Sequence, residues 1–232
     1  MIPLTKSTNM HDFHNQTVLV SGGTSGIGAA IANAFRQAGA TVHALGLETG
    51  LNVADPASIT SQLRDISSLD ILVNAAGVIR RLEEHDPEVF AQVIDINLNG
   101  TMRMCSACHP MLQQSKGCVI NIASMLSFFG SAPAPAYSAS KGGLAQLTKS
   151  LALAWAKDQI RVNALAPGWI ETPLTAALRE DPARSNAILS RVPLGRWGRP
   201  EDIAGPALFL ASPAAAFITG AILPVDGGYL IA

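Results

Sequence analysis

Charged residues are scarce in this sequence and make up 14% of its 232 residues, against about 25% in an average soluble domain. The 17 acidic and 16 basic side chains nearly balance and leave a formal net charge of −1. Because nucleic acids and anionic membranes are bound through an excess of basic residues, this balance argues against either as a partner. The hydrophobic fraction of 48% excludes a disordered chain, which combines low hydrophobicity with high charge.

Cysteine is also rare, and its three residues are Cys105, Cys108 and Cys118. Residues 1–14 contain no apolar run of the length that a secretory signal needs. An odd number of cysteines without such a signal predicts free thiols in the cytoplasm rather than a disulfide framework. We expect residues 1–14 to form a solvated tail, and we expect no metal site.

Long hydrophobic runs are missing as well. Residues 117–140 and 203–225 are free of charge, but prolines and polar side chains interrupt both stretches. A membrane-spanning helix needs about 20 mostly apolar residues with every backbone group hydrogen-bonded. Neither stretch is therefore expected to cross a membrane.

Short β-branched runs alternate with alanine-rich amphipathic stretches along the chain. The predicted strands are residues 17–20, 41–47, 51–53, 70–73, 118–123, 161–165 and 221–225. The predicted helical stretches are residues 28–38, 59–66, 87–114, 137–157 and 200–211. This alternation predicts one α/β domain over residues 15–232, a Rossmann-like, doubly wound parallel sheet of about seven strands with helices on both faces. Such sheets bind ligands beyond the carboxyl ends of their strands.

The first predicted strand ends in a glycine-rich loop, SGGTSGIG, at residues 21–28. Glycine permits positive φ and a close approach of the backbone to a pyrophosphate, and the helix that follows offers free N–H groups to an anion. The glycines are spaced as GxxxGxG rather than GxGxxG, and no lysine follows as in a P-loop. A loop of this kind at the first strand–helix junction predicts a dinucleotide site.

Tyr137 and Lys141 lie four residues apart in a predicted helix, so their side chains share one face. A nearby cation stabilises a phenolate and lowers the pKa of the phenol from about 10, which suits a tyrosine to general acid–base catalysis. Ser124 ends the preceding strand, where its hydroxyl can donate a hydrogen bond to a substrate carbonyl oxygen. With the glycine loop, these residues predict a site for hydride transfer at a carbonyl group.

Together these motifs resemble the short-chain dehydrogenase/reductase family, from about Asn15 to Ala232. The matched elements, in the family's order, are GxxxGIG at residues 22–28, Asn-Ala-Ala-Gly at 74–77, Asn97, Ser124, Tyr137, Lys141, and Pro-Gly at 167–168 with Thr172. The resemblance implies hydride transfer between NAD(P) and an alcohol/ketone pair of a small-molecule substrate, without a metal.

The resemblance also implies a role for each matched residue. Tyr137 would donate or accept the proton, and Lys141 would lower its pKa and hold the nicotinamide ribose. Ser124 would orient the carbonyl or alcohol, and Asn97 would hold a water in the proton relay. The residues implied in cofactor binding are Gly22, Thr24, Ser25, Gly26, Ile27, Gly28, Glu48, Asn52, Val53, Asn74, Ala75, Ala76, Gly77, Tyr137, Lys141, Pro167, Gly168, Ile170 and Thr172.

The sequence departs from the family's pattern on the adenine side. Ala75 replaces a usual asparagine, and the loop after the second strand, residues 46–51, is unusually short. A carboxylate in this loop accepts the ribose hydroxyls of NAD, whereas an arginine accommodates the 2′-phosphate of NADP. Glu48 is the available carboxylate, and residues 21–28 and 46–51 contain no Arg or Lys, so NAD is favoured over NADP. The alternative is that Glu48 is a solvated loop residue.

Residues 121–127 and 191–198 resemble the sugar-acid branch of the family, the gluconate and 2-keto-3-deoxygluconate 5-dehydrogenases. An arginine binds a carboxylate through two parallel hydrogen bonds. Arg80 or Arg81 is therefore a candidate for holding an acidic substrate, with a solvent-facing pair of arginines as the alternative.

Residues 172–191 are expected to form a mobile lid with Trp169 near its hinge. In an alternative interpretation, Trp169 forms an apolar wall for a less polar ketone with Phe128 and Phe129. Two other functions remain open, an NADP-dependent 3-oxoacyl reductase and a non-catalytic scaffold that binds the cofactor. Residues 224–228 resemble the family's subunit-contact end, which predicts a homotetramer.

Overall fold

Six parallel strands form one sheet in the computed structural model, which describes residues 12–232. The strands are β1 (Thr17–Ser21), β2 (Thr41–Leu45), β3 (Ile71–Asn74), β4 (Cys118–Ile122), β5 (Arg161–Pro167) and β6 (Ile222–Val225). Their order is β2-β1-β3-β4-β5-β6, and every neighbouring pair is parallel. The strand order reverses between β1 and β3, which is where doubly wound sheets bind ligands. The predicted Rossmann-like fold class is confirmed.

Helices cover both faces of the sheet. They are α1 (Gly26–Gln37), α2 (Pro56–Leu63), α3 (Pro87–Ile94), α4 (Gly100–Ser115), α5 (Pro135–Trp155), α6 (Ala176–Arg179), α7 (Pro182–Leu189) and α8 (Pro200–Ala211). Successive side chains of a strand point to opposite faces, so β1 places Val18 and Val20 against α1 and α8, and Leu19 against α4 and α5. Each face of the sheet therefore has its own buried apolar layer.

Three of the helices begin at an Asp-Pro pair, which shows how the sequence sets their first turns. Asp55, Asp86 and Asp181 each accept a hydrogen bond from a backbone N–H of the first turn that follows. The proline after each aspartate needs no hydrogen-bond partner for its nitrogen at that position. These pairs fix the starts of α2, α3 and α7.

The strand predicted at residues 51–53 is wrong, which is why the sheet has six strands rather than about seven. Leu51 and Val53 are buried, as the alternation suggested. The backbone N–H of Asn52 instead donates to Ser58 Oγ at 2.9 Å, and Asn52 Oδ1 accepts from the Ala54 N–H at 3.0 Å. These hydrogen bonds turn the chain toward α2, so the Asn52 backbone N–H is not available to pair with a neighbouring strand.

The helix predicted at residues 87–114 is interrupted by one wider turn. Residues Asp95–Asn99 form a π turn between α3 and α4. Such turns are rare and are frequent at functional sites, because they displace the side chains that follow. The sequence pattern carried no sign of this interruption.

The structure also bears on the predictions about the N-terminal tail, the cysteines, metal sites and membrane-spanning helices. Residues 1–11 of the predicted tail, with His11, lie outside the described residues, whereas Phe13 is buried with its ring centroid 5.0 Å from that of Phe35. The three cysteines are free, as predicted, and all three are buried. Within residues 12–232 we find no group of three metal-ligating side chains and no helix long and apolar enough to cross a membrane.

Candidate active site

Two of the cavities at the carboxyl ends of the strands contain most of the predicted site residues. The central cavity, beyond β4 and β5, has a volume of about 360 Å³, and the loop cavity, beyond β1 and β2, has a volume of about 190 Å³. The predicted site residues that line the central cavity are Ile27, Arg81, Ser124, Tyr137, Pro167, Gly168, Trp169, Ile170 and Thr172. Those that line the loop cavity are Gly22, Thr24, Ser25, Glu48, Asn52, Val53, Ala76 and Gly77.

The backbone of the glycine loop is packed so closely that a side chain at Gly22 or Gly28 would overlap neighbouring backbone atoms. Gly22 and Gly26 have φ values of +69° and +52°. A Cβ on Gly28 would lie 2.1 Å from the Gly22 carbonyl oxygen, and a Cβ on Gly22 would lie 2.6 Å from the backbone nitrogen of Ala76. Only glycine avoids both overlaps, so the backbone itself forms the wall between β1 and α1.

The first turn of α1 leaves its backbone donors available. Ser25 precedes the helix without a capping side-chain hydrogen bond, and the first turn contains no acidic residue. Free N–H groups and the positive end of the helix dipole attract an anion. Together with the glycine cradle, this uncapped end fits the pyrophosphate of a dinucleotide.

We expect Gly28→Ala to destabilise the fold by about 1–3 kcal/mol, the usual cost of forcing extra atoms into a packed site, and to weaken dinucleotide binding. Urea unfolding and a cofactor titration measure the two effects. Gly205→Ala is the matched control, because a Cβ at this helical position of α8 meets nothing within 4 Å. The control should gain up to about 1 kcal/mol from helix propensity, and equal stability of the two variants would contradict the steric argument.

Tyr137 and Lys141 come together on the first two turns of α5. Lys141 Nζ lies 5.5 Å from the centroid of the Tyr137 ring and donates a hydrogen bond to the Ile122 carbonyl oxygen at 2.6 Å. Ser124 follows β4, and its Oγ accepts from the Leu126 N–H at 3.1 Å. Ser124 and Tyr137 both line the central cavity, so the three residues meet at the end of β4.

Burial dominates the protonation of this group. It raises the pKa of the Tyr137 phenol above its ordinary value, although Ser124 and Arg81 act in the opposite direction. Burial also lowers the pKa of Lys141 to about 8. Burial therefore favours the protonated phenol at neutral pH, and the lowering of its pKa by Lys141 stays a prediction.

Asn97 sits in the π turn and is fully buried. Its Oδ1 accepts from the Val78 N–H at 2.8 Å, and its Nδ2 donates to Ser140 Oγ at 3.1 Å. A Cβ added to Gly77 would meet both Asn97 Oδ1 at 3.3 Å and Lys141 Nζ at 3.7 Å. The π turn thus places Asn97 beside Lys141, where it joins the segment after β3 to α5.

Asn74 is directed into the interior rather than into either cavity. Its Nδ2 donates to Asn121 Oδ1 at 2.9 Å, and Asn121 Nδ2 donates to Thr148 Oγ1 at 3.0 Å. This chain of buried amides links β3, β4 and α5. Ala75 packs half-buried against the core, so the loop cavity is lined from this segment by Ala76 and Gly77.

The two candidate arginines occupy different places. Arg81 is half-buried, lines the central cavity and donates from its guanidinium to the Leu174 carbonyl oxygen at 3.3 Å. Arg80 is exposed, and its guanidinium lies 3.8 Å from the carboxylate of Glu83. The structure brings Arg81 to Tyr137 and Ser124, and it does not bring Arg80 there.

Arg191 and Tyr229 also line the central cavity and were missed as site residues. The Arg191 guanidinium lies 4.4 Å from the centroid of the Tyr229 ring, and that ring lies 6.2 Å from the rings of Trp169 and Phe129. Phe128 is exposed and stands outside this aromatic group. The sequence does contain a signal that could have marked Tyr229. It is the Gly-Gly pair before this residue, whose φ values of +64° and +89° form a turn.

The charge of the central cavity is of one sign. Among its lining residues in the described part of the chain, the ionic side chains are Arg81 and Arg191, with no carboxylate opposite them. Two guanidinium groups without an internal counter-charge favour an anionic ligand. The cavity therefore combines the Tyr137 phenol with two guanidinium groups that can bind a carboxylate.

Comparison with known proteins identifies the family of this chain. The profile of the family described as enoyl-(acyl carrier protein) reductase matches residues 49–230. Two similar proteins are 2-dehydro-3-deoxy-D-gluconate 5-dehydrogenases. That of Bacillus subtilis (strain 168) is 42% identical and covers 95% of this chain and 98% of the relative. That of Pseudoalteromonas atlantica is 40% identical and covers 93% of this chain and 96% of the relative. A gluconate 5-dehydrogenase structure from Burkholderia cenocepacia J2315, in complex with NADP and tartrate, has a TM-score of 0.89 at 31% identity and covers 96% of this chain and 98% of its own. This chain belongs to the short-chain dehydrogenase/reductase family, the NAD(P)-dependent oxidoreductases that act on CH–OH groups.

Proposed function

We propose that this protein transfers a hydride between a nicotinamide cofactor and the alcohol/ketone pair of a sugar acid. The observation that carries the proposal is the pair of guanidinium groups, Arg81 and Arg191, in the cavity that also contains Tyr137. A carboxylate bound by Arg81 would stand beside the phenol that exchanges the proton. The names of the relatives, which are dehydrogenases of gluconate and dehydro-deoxygluconate, support the same substrate class.

The proposal gives a separate task to each of four residues near the end of β4. Tyr137 passes a proton to or from the substrate oxygen as general acid/base. Ser124 donates a hydrogen bond to that oxygen and fixes its position. Lys141, which is 5.5 Å from the phenol ring, stabilises the phenolate that remains after proton donation. Asn97 holds the neighbouring backbone in place and, by resemblance, a water of the proton relay.

The glycine loop and the first turn of α1 would hold the pyrophosphate of the cofactor. Ala76, Gly77 and Val53 line the loop cavity, where they would contact the adenosine. Pro167, Gly168, Ile170 and Thr172 line the central cavity, where they would contact the nicotinamide end. The nicotinamide, when bound, supplies the chemistry of accepting or giving the hydride. Ile27 and Ile170 contribute an apolar lining to the central cavity, which would exclude water from the reacting groups.

We infer a preference for NAD from the charge of the loop cavity. Glu48 lines this cavity, and its carboxylate accepts a hydrogen bond from Thr24 Oγ1 at 2.8 Å. A backbone N–H and Thr24 hold the pKa of Glu48 below its ordinary value. No Arg or Lys is among the residues in the described chain that line the loop cavity. A 2′-phosphate would therefore meet a negative charge, whereas ribose hydroxyls would meet an acceptor.

Glu48→Gln is expected to weaken NAD binding and to strengthen NADP binding, because it removes the repulsion of the phosphate. The ratio of the two Kd values, measured by titration with the reduced cofactors, should move by about tenfold, the equivalent of about 1.4 kcal/mol. Glu201→Gln, which removes an exposed carboxylate on α8 outside both cavities, serves as the control. An unchanged ratio in Glu48→Gln would show that Glu48 does not select the cofactor.

The substrate class is tested by following reduced nicotinamide with NAD⁺ and NADP⁺ in parallel. The panel contains gluconate and dehydro-deoxygluconate, the neutral polyols and aldoses that match them, and 3-oxoacyl thioesters for the reverse reaction. The proposal expects turnover of an acid and little turnover of its neutral counterpart. Activity confined to NADPH and the thioesters would identify a 3-oxoacyl reductase instead.

We further infer a cytoplasmic homotetramer in which residues 172–191, which contain α6 and α7, act as a lid. Large apolar side chains that are almost fully exposed, Phe217 at 104% and Leu153 at 82%, support an assembled form. The resemblance of residues 224–228 to the family's subunit contact supports the same assembly. The contact of Arg81 with the Leu174 carbonyl supports closure of the lid over the central cavity.

A further inference from the structure

Glu84 is a buried carboxylate that the proposed chemistry does not use. It lies in the short turn Glu83–His85, and 1% of its surface is exposed. Acidic side chains are rarely buried unless their oxygens are hydrogen-bonded, because an unpaired buried charge is strongly unfavourable. The partners of Glu84 therefore indicate what the residue is for.

Its first partner is the helix that carries Tyr137. The Tyr137 backbone N–H donates to Glu84 Oε2 at 2.8 Å. The residue before α5 is Ala134, which has no side-chain acceptor, and the first turn of α5 has no acidic residue. The first N–H groups of a helix need an acceptor from outside it. Glu84 supplies that acceptor from a position 53 residues earlier in the chain.

Its second partner is the segment that carries Arg81. The Arg80 backbone N–H donates to Glu84 Oε1 at 2.8 Å. Leu82 has a φ of +70° and a ψ of −35°, a sparsely populated conformation that costs a residue with a side chain about 1–3 kcal/mol. The Leu82 N–H donates to the Pro133 carbonyl oxygen at 2.7 Å, which holds this turn against the loop before α5.

We propose that Glu84 is a positioning residue, whose one carboxylate ties the start of the helix carrying Tyr137 to the turn carrying Arg81. The inference rests on the proposed function, in which Arg81 binds the substrate carboxylate and Tyr137 exchanges the proton. The two groups must act on the same molecule, so their separation has to match the distance between its carboxylate and its reacting carbon. Glu84 fixes that separation from behind the cavity without touching the substrate.

The groups that face the Tyr137 phenol give Glu84 an effect that can be measured. Ser124 and Arg81 lower the pKa of this phenol, and the charge of Glu84 raises it. Lys141 stands 5.5 Å from the ring. Removing the Glu84 charge should therefore lower the pKa of Tyr137, whereas removing an exposed carboxylate nearby should not. Glu83 offers that control, because its side chain is 64% exposed beside Arg80.

The first experiment titrates the phenol by ultraviolet difference absorbance in the protein alone. The chain has two tyrosines, so a Tyr229→Phe background leaves Tyr137 as the only phenol. In this background, Glu84→Gln should move the titration midpoint to lower pH, and Glu83→Gln should leave it in place. Equal midpoints for Glu84→Gln and its parent would overturn the assignment of this contact, whatever the substrate of the enzyme is.

The second experiment measures kinetics on a sugar acid. A small misplacement of a reacting group can cost up to about 10²-fold in rate, so Glu84→Gln should lower kcat/KM by about ten- to hundredfold and leave the Kd of the cofactor unchanged. Glu84→Asp keeps the charge but is too short to reach both N–H groups. We expect it to lose kcat/KM similarly, while in the Tyr229→Phe background its Tyr137 midpoint stays near that of the parent.

Wild-type kcat/KM in Glu84→Asp would overturn the proposal, and this variant decides alone if Glu84→Gln does not fold. The proposed function fails differently: the wild type would then not oxidise any sugar acid, or Tyr137→Phe would keep its activity. The phenol titration needs no substrate, so the two failures are distinguishable.

Discussion

Replacing Tyr137 with phenylalanine is expected to lower kcat/KM by about 10²–10⁴-fold, because a positioned proton donor contributes that much to the rate. The variant keeps the ring beside Lys141 and loses only the hydroxyl. The fold and the Kd of the nicotinamide cofactor should therefore change little. Nicotinamide absorbance gives the rates, and the fluorescence of bound reduced cofactor gives the Kd.

Ser138→Ala is the matched control for this variant. Ser138 follows Tyr137 on α5, but its Oγ donates to the Ala134 carbonyl oxygen at 2.8 Å and it lines neither cavity. Loss of this hydroxyl should leave most of the activity. If Tyr137→Phe behaved like the control, the acid/base assignment would be wrong. If the wild type bound the cofactor but turned over no substrate, a non-catalytic scaffold would be the better account.

Arg81→Met is expected to lower kcat/KM for a sugar acid by about 10- to 100-fold, since a hydrogen bond to a charged group contributes about 1.5–3 kcal/mol. The polyol with the same hydroxyl pattern has no carboxylate, so its kcat/KM should change much less. Methionine keeps an unbranched apolar stem at this half-buried position. The quantity to measure is the ratio of kcat/KM for the acid to that for the polyol.

Arg80→Met makes the same change in charge one residue earlier. Arg80 is exposed, pairs with Glu83 and lies outside the central cavity. Long-range attraction between the protein and an anion is reduced equally in both variants, so only a direct contact separates them. Equal losses in Arg80→Met and Arg81→Met, or an acid-to-polyol ratio that Arg81→Met leaves unchanged, would contradict a carboxylate contact at Arg81.

Most of the fold was predictable because its signals are local. The β-branched run at β1, the apolar run at β4 and the amphipathic pattern of α1 each depend on neighbours in sequence. The strand prediction at residues 51–53 failed because an alternating burial pattern does not show the side-chain hydrogen bonds that turn the backbone there. The alternating burial of these residues is real, but the backbone is turned by Ser58 from α2 and cannot pair with a strand. Burial alone does not distinguish a strand from a buried turn.

The candidate site likewise contains residues that the sequence predicts and residues that only the structure shows. Ser124, Tyr137 and Lys141 were predictable because a parallel sheet brings strand ends and helix starts to one edge, and their spacing is short. Arg191 and Glu84 are brought in by segments far away in the sequence, so no spacing marks them. The choice between Arg80 and Arg81 depends on the left-handed turn at Leu82, which sequence patterns do not predict for a leucine.

Transfer of deuterium from a carbon-deuterated sugar acid to the nicotinamide ring is the most direct test of the proposed reaction. The protein is incubated with deuterated gluconate or dehydro-deoxygluconate and each oxidised cofactor, and the reduced cofactor is analysed by mass spectrometry. We expect deuterium on the reduced nicotinamide with the wild type and Ser138→Ala, and at most a trace with Tyr137→Phe. Reduced cofactor without deuterium, or no reduction with any sugar acid, would contradict direct hydride transfer from this substrate class.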